Sequence, residues 1–178
     1  AILDWMADQN EAMTVCLVGE PTCPEVMGDM IKIGRRGSMT TKFVIEGVQG
    51  HVAYPHRANN PMTGMARLMD RLGSHVLDTG TEHFDPSTLA ITTIDTGNTA
   101  TNVIPARCSA TINIRFNDAH SAESLQAWIK SEVEQVVAET GLKITQASSV
   151  TGDSFFTPPG ALSDMVSNAL QAATGFTP

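Results

Sequence analysis

Between Ser38 and Val150 the spacing of hydrophobic residues changes several times, and each change marks an element. Met39, Thr41, Phe43 and Ile45 alternate with Thr40, Lys42, Val44 and Glu46, which is the period of a strand. After Asn60 the period lengthens. Met62, Met65, Ala66, Met69, Gly73 and Val76 fall on one helical face, and Pro61 suits the first position of that helix. Methionine is an unbranched gap-filler, so this face reads as core rather than a cofactor surface. Thr88–Thr96 predicts a second strand with Leu89, Ile91 and Thr93 on one side, and Gly97-Asn98 turns the chain. Arg107–Phe116 is the clearest strand. Cys108, Ala110, Ile112, Ile114 and Phe116 oppose Ser109, Thr111, Asn113 and Arg115. Several N-cap residues lie in Asn117–Ser121. A second helix follows, with Leu125, Trp128, Ile129, Val133, Val136 and Val137 on its stripe and Gly141 as its stop. Leu142–Val150 is the fourth strand.

The order over 38–150 is therefore β-α-β-β-α-β. It predicts an α+β fold, a ferredoxin-like sandwich of a four-stranded antiparallel sheet with two helices on one face. Some 110 residues with two amphipathic helices can bury a core of their own.

The flanks follow a different plan. Residues 1–9 read as the last turns of a helix, with Ile2, Trp5 and Met6 on one side. Met13–Val18 is a short apolar run ending at Gly19-Glu20-Pro21, as in a buried strand of a parallel sheet. Thr151–Ser154 reads as a hinge, and Leu162, Met165, Val166, Ala169, Leu170 and Ala173 mark one more helix. The predicted organisation is an inserted module at 36–151. The flanks 1–35 and 152–178 are pieces of an α/β domain around it. The chain opens on Ala1 without an initiator methionine and closes on Pro178 just after a helix, so both ends are expected to be cuts through a larger protein.

Composition narrows the partners. A net charge of −8 argues against nucleic acid, whose phosphates need a basic face. It leaves open a small acidic ligand held by a few local arginines. The three cysteines are odd in number and lack metal-type spacing, which fits a reducing, cytoplasmic compartment. No apolar run approaches the ~18 residues of a membrane span.

The candidate chemistry sits at the two ends of the first strand. Gly50 frees the backbone so that His51 can be aimed away from the sheet. Gly34-Arg35-Arg36-Gly37 puts guanidinium groups, suited to bidentate capture of a carboxylate, at the other end. Taken residue by residue, each group also has a plain structural reading. His51 could be a turn or capping histidine, Glu20 a solvated loop carboxylate, Arg115 a surface cation and Asn102 a turn residue. Tyr54, the one tyrosine, offers an apolar wall with a polar tip. Arg36 reads as structural or solvated, and His56 as a support for the Pro55 loop. His75, His83 and His120 show no partner spacing and read as surface or helix-end residues.

Gly19-Glu20-Pro21-Thr22, Gly34-Arg35-Arg36-Gly37-Ser38 and Gly50-His51-Val52-Ala53-Tyr54-Pro55-His56 together resemble the dizinc amidohydrolase and aminopeptidase (M20) family. The resemblance is strongest to its branch that cleaves N-succinyl-LL-2,6-diaminopimelate, and it runs over nearly the whole chain. It implies a zinc-dependent amide hydrolase with two zinc ions per centre, for which cobalt is a possible substitute. It implies that Glu20 is a metal ligand and that His51 stabilises an oxyanion in the partner subunit's centre. It implies that Arg35, Tyr54, Asn102 and Arg115 hold a small dicarboxylate or amino-acid substrate. Thr101 stands where the family can have a second asparagine. The resemblance further implies a homodimer through 36–151, no membrane partner, and a fragment that is itself metal-free and inactive. Two rivals are a related deacylase, such as one acting on acetylornithine, and a non-catalytic ferredoxin-like dimer that binds a small acid.

Overall fold

The computed structural model describes residues 2–178; Ala1, part of the helix predicted over 1–9, lies outside the described residues. In chain order the elements are α1 (Ile2–Asp8), β1 (Gly34–Arg35), β2 (Gly37–Glu46), β3 (Gly50–His51), a 3₁₀ turn (Pro55–Arg57), α2 (Pro61–Ser74), β4 (Thr88–Asp95), β5 (Val103–Ile104), β6 (Arg107–Phe116), α3 (Ala122–Thr140), β7 (Lys143–Gly152), β8 (Phe155–Phe156) and α4 (Ala161–Thr174). They form two compact units, residues 2–33 with Thr157–Pro178, and Gly34–Phe156.

The second unit has the predicted α+β architecture. Its sheet runs β4-β6-β2-β7, antiparallel throughout. The two central strands pair without a break from Gly37↔Phe116 to Glu46↔Arg107. Alternation along β2 and β6 sends Met39, Phe43, Ile45, Ile112, Ile114 and Phe116 to one face, where Leu68 and Leu72 of α2 and Leu125, Ile129 and Val136 of α3 close over them. Each such side chain contributes about 1.5–3 kcal/mol by leaving water. The opposite face carries Ser38, Thr40, Lys42, Ser109, Thr111, Asn113 and Arg115, and among the described residues of this unit no helix packs on it, with Asn113 Nδ2 donating to Thr40 Oγ1 at 2.9 Å. Two β-bulges interrupt the outer pairings, one between Ser38 and Met39 against β7 and one between Ile91 and Thr93 against β6.

Both helices begin, and α3 also ends, at their predicted signals. The Asn60 side chain accepts from Met62 N–H ahead of α2. Ser121 and Ser124 cap α3 reciprocally, and Gly141 ends it at φ 63°.

Two expectations are corrected. Met13–Val18 is not a buried strand. Among the described residues no strand pairs with it, and Met13 and Leu17 are 55% and 75% exposed. An apolar run becomes a strand only where a ladder exists to take its N–H and C=O groups. The buried row of α2 is Gly64, Met65, Leu68, Met69 and Leu72, whereas Ala66 and Gly73 face solvent. Val76 lies beyond the helix and is 72% exposed. The small residues fitted the spacing, but Gly64 is the one pressed inward, where a Cβ would stand 2.5 Å from Leu142 Cδ1.

His75, His83 and His120, read as surface or helix-end residues, all have partners, and His75 and His83 are exposed. His75, at the end of α2, stacks on Trp128 at 4.7 Å between centroids, and His83 on Phe156 at 4.0 Å. His120 Nε2 lies 3.1 Å from Asp78 Oδ2. That carboxylate also accepts from the N–H groups of Gly80 and Ser87 and from Asn117 Nδ2. Burial opposes ionisation of Asp78, but the hydrogen bonds from Ser87, Gly80 and Asn117 outweigh it and hold the carboxyl well below the usual carboxylate range. This latch ties the loop after α2 to the turn before α3.

Candidate functional site

His51 is placed by a two-residue ribbon. β3 pairs with β5 through Gly50↔Ile104 and His51↔Val103. Gly50 lets the loop close, since a Cβ there would meet the Ala58 methyl at 2.8 Å. Val52 N–H donates to the Asn102 carbonyl at 3.1 Å, and Tyr54 N–H to the His51 carbonyl at 2.9 Å. His51, Tyr54 and Asn102 thus form one exposed group. The His51 and Tyr54 rings lie 6.0 Å apart, tilted by 54°.

The hydrogen bonding of the imidazole fixes its polarity. Ala53 N–H donates to His51 Nδ1 at 3.1 Å. An Nδ1 that accepts carries no proton, so the neutral ring holds its hydrogen on Nε2. The nitrogen with the hydrogen is the one free to donate to a ligand, and the imidazole is presented as a hydrogen-bond donor. His56 lies edge-on to Tyr54, and the Arg57 guanidinium sits 5.4 Å over the Tyr54 ring. Sequence reasoning missed Arg57, whose cation–π contact leaves no spacing signal.

Arg35 and Arg115 both lie at the other end of the sheet. One backbone row crosses it as Gly152, Ser38, Arg115 and Thr88. Arg115 stands on the helix-free face of that row. Arg35 leaves β1, which pairs with β8, and its guanidinium lies over Gly152: a Cβ on Gly152 would stand 2.5 Å from Arg35 Nη2. Gly152 and Arg115 are two strand spacings apart, about 10 Å. Neither arginine is ion-paired among the described residues. Arg36 is structural, donating to the Pro86 carbonyl at 2.9 Å.

The two groups are therefore separated. Eight residue steps along β2 divide Ser38 from Glu46, about 26 Å at strand rise, and the His51 ribbon lies beyond Glu46. One copy of Gly34–Phe156 does not bring the imidazole to the arginines. The open cleft of ≈ 240 Å³ at the His51 end, lined by Asp95, Thr96, Gly97, Arg107, Cys108 and Ser109, contains none of the predicted site residues. Glu20 is exposed and belongs to the other unit. Among the described residues no three His, Cys, Asp or Glu side chains converge as a metal site.

A family model described as the peptidase dimerisation domain (M20) matches residues 33–141. Succinyl-diaminopimelate desuccinylases of Cereibacter sphaeroides and Ruegeria pomeroyi are 66% and 64% identical over 178 residues, all of this chain and 47% of each relative. The chain thus spans about half the length of the curated relatives it matches. An aminopeptidase structure from Bacillus cereus superposes with a TM-score of 0.65 at 16% identity, covering 82% of this chain and 38% of that one. A Staphylococcus aureus tripeptidase gives 0.66 at 16% identity, over 81% and 37%. At such identity the two structures speak to the fold alone.

Proposed function

This chain belongs to the peptidase dimerisation domain family, and on that premise we propose that it is part of a metal-dependent amide hydrolase. The whole protein converts N-succinyl-LL-2,6-diaminopimelate and water to succinate and LL-2,6-diaminopimelate. The observation that carries this reading is the 66% identity to a succinyl-diaminopimelate desuccinylase across every residue of the chain. Residues 36–151 are the inserted dimerisation module, and 1–35 and 152–178 belong to the catalytic domain. His51 Nε2 donates to the developing oxyanion. Such a donor acts by being aimed, before reaction, at the place where charge appears. Tyr54 walls the acyl group, Asn102 positions it, and Arg35 and Arg115 take the carboxylates. Glu20 supplies one donor to the metal. In the finer reading the metals are two zinc ions, and the remaining ligands lie outside this chain.

The separation of His51 from the arginines supports a homodimer in which each protomer lends its imidazole to the other's centre. A small substrate does not span ~26 Å, whereas a two-fold arrangement delivers the same loop to a second copy. Three free cysteines support a cytoplasmic setting.

The test is a substrate panel on the full-length, metal-loaded protein. Succinate release from N-succinyl-LL-2,6-diaminopimelate is expected to exceed acetate release from acetylornithine. His51→Ala is expected to lower kcat by about 10²–10³ with the dimer intact, and the 178-residue chain alone to be inactive. A full-length protein that leaves the succinyl substrate untouched overturns the reading. An unchanged rate for His51→Ala removes His51 from the chemistry.

A further inference from the structure

We infer that Gly152 is a positioning residue for Arg35, and that the absence of a side chain there sets where this guanidinium meets the substrate carboxylate. The inference rests on the substrate role proposed above for Arg35, and it concerns a residue that role does not include.

Three observations carry it. First, β7 departs from regular pairing at this point: Met39 pairs with Val150 but Ser38 with Gly152, so Thr151 is the extra residue of a bulge. A bulge re-aims the chain beyond it, and here it turns β7 toward β8, whose Phe155 pairs with Arg35. Second, Gly152 has no conformational need to be glycine. Its φ lies outside the left-handed region that favours glycine, unlike those of Gly80, Gly97 and Gly141. Third, the space a side chain would use is filled by the guanidinium. A Cβ on Gly152 would stand 2.5 Å from Arg35 Nη2 and 3.8 Å from Cζ, with no other atom within 4 Å. The only conflict is with the mobile end of a long side chain. Alanine would leave the fold alone and push the guanidinium aside by close to 1 Å, the shortfall from an ordinary contact distance near 3.5 Å. That displacement matters because a planar fork binds a carboxylate bidentately only in a narrow geometry. Arg115 stands in the same backbone row, on the far side of Ser38, so the notch also fixes the spacing of the two cations that face one ligand.

The experiment is a double-mutant cycle in the full-length protein, with KM and kcat for N-succinyl-LL-2,6-diaminopimelate as readouts. Gly152→Ala is expected to raise KM about tenfold, the loss of one charge-assisted hydrogen bond, with kcat within about twofold and the melting temperature unchanged. In an Arg35→Ala background the same change is expected to do nothing further, because the group it displaces is gone. An equal KM penalty in both backgrounds overturns the inference. So does an unchanged KM in Gly152→Ala while Arg35→Ala raises it. A reduced melting temperature with unchanged KM also overturns it and makes the glycine a packing residue. Should the unsubstituted enzyme not turn over the substrate, the activity proposal fails, a result distinct from these.

Discussion

The two units of this chain carry similar hydrophobic patterns and put them to different use. Among the described residues all of the buried hydrophobic side chains lie in Gly34–Phe156, the largest of them within Met39–Val136. In the other unit neither α1 nor α4 has a buried residue, and Trp5 is 59% exposed. The helical stripe of α4, Leu162, Met165, Val166, Ala169 and Leu170, is as regular as that of α3. A stripe states how much a helix can bury, not that it has something to bury against. In α3 the stripe meets a sheet whose inward face is apolar at every second residue, so pattern and burial coincide. The comparison is testable by matched substitutions in the two units.

The largest contrast is expected in the cores. Phe43 is fully buried under both helices. Phe43→Ala should destabilise the 178-residue chain by about 3–5 kcal/mol through lost transfer energy and a residual cavity. Trp5→Ala removes a larger side chain, yet should change stability by less than about 0.5 kcal/mol. Urea midpoints of the two variants decide it. Equal losses would mean that the first unit hides apolar surface of its own.

A smaller contrast comes from the Asp78 latch, which joins segments far apart in sequence, whereas the first unit's Asp29 accepts from its near neighbours Glu25 and Val26. Asp78→Asn keeps the shape but replaces one of the two acceptor oxygens with an NH2 donor, so the partners on Gly80, Ser87, Asn117 and His120 are left with a single, weaker acceptor, at a cost of about 1–3 kcal/mol. The folded-state pKa is depressed, so the carboxylate stabilises the fold above its unfolded value near 4. That contribution is lost as pH falls from there toward the depressed value. Unfolding free energy measured from neutral to acid pH should therefore decline less steeply in Asp78→Asn than in the unsubstituted chain. Parallel curves would show that the latch contributes nothing through ionisation.

What was legible in the sequence divides along the same line. β6 was readable to its end residues because it is buried on one face and polar on the other, so its alternation is complete. α3 was readable because Ser121 and Gly141 bound it. The face of α2 was read correctly at Met62, Met65 and Met69 and missed at Ala66 and Gly73, which match the helical spacing as well as Leu68 and Leu72 do, and packing volume, not spacing, decides between them. The ribbons β1–β8 and β3–β5 are two residues per strand, too short to show any period, although they aim Arg35 and His51. Asp78 and His120 are 42 positions apart, a contact no local pattern encodes. The motifs marked the candidate residues. That His51 lies at the opposite end of the sheet from Arg115 followed only from the register.

The smallest contrast isolates the helix ends, where the two units are most alike. α3 and α4 both end on a left-handed glycine, Gly141 at φ 63° and Gly175 at φ 82°, each with its N–H donating to the carbonyl four residues back. A Cβ at either position meets nothing within 4 Å. Alanine there therefore costs only the backbone strain of a left-handed L-residue, about 1 kcal/mol. The strain is the same, but what it acts on is not. α3 is held down by Leu125, Ile129, Val133 and Val136, so fraying its last turn must work against the core, and Gly141→Ala should lower the global unfolding free energy by the full amount. α4 is not anchored by a buried side chain. Gly175→Ala should leave the urea midpoint where it was and appear only as faster amide exchange in the last turn of α4. Loss of global stability by Gly175→Ala, equal to that of Gly141→Ala, would mean that the two units unfold as one.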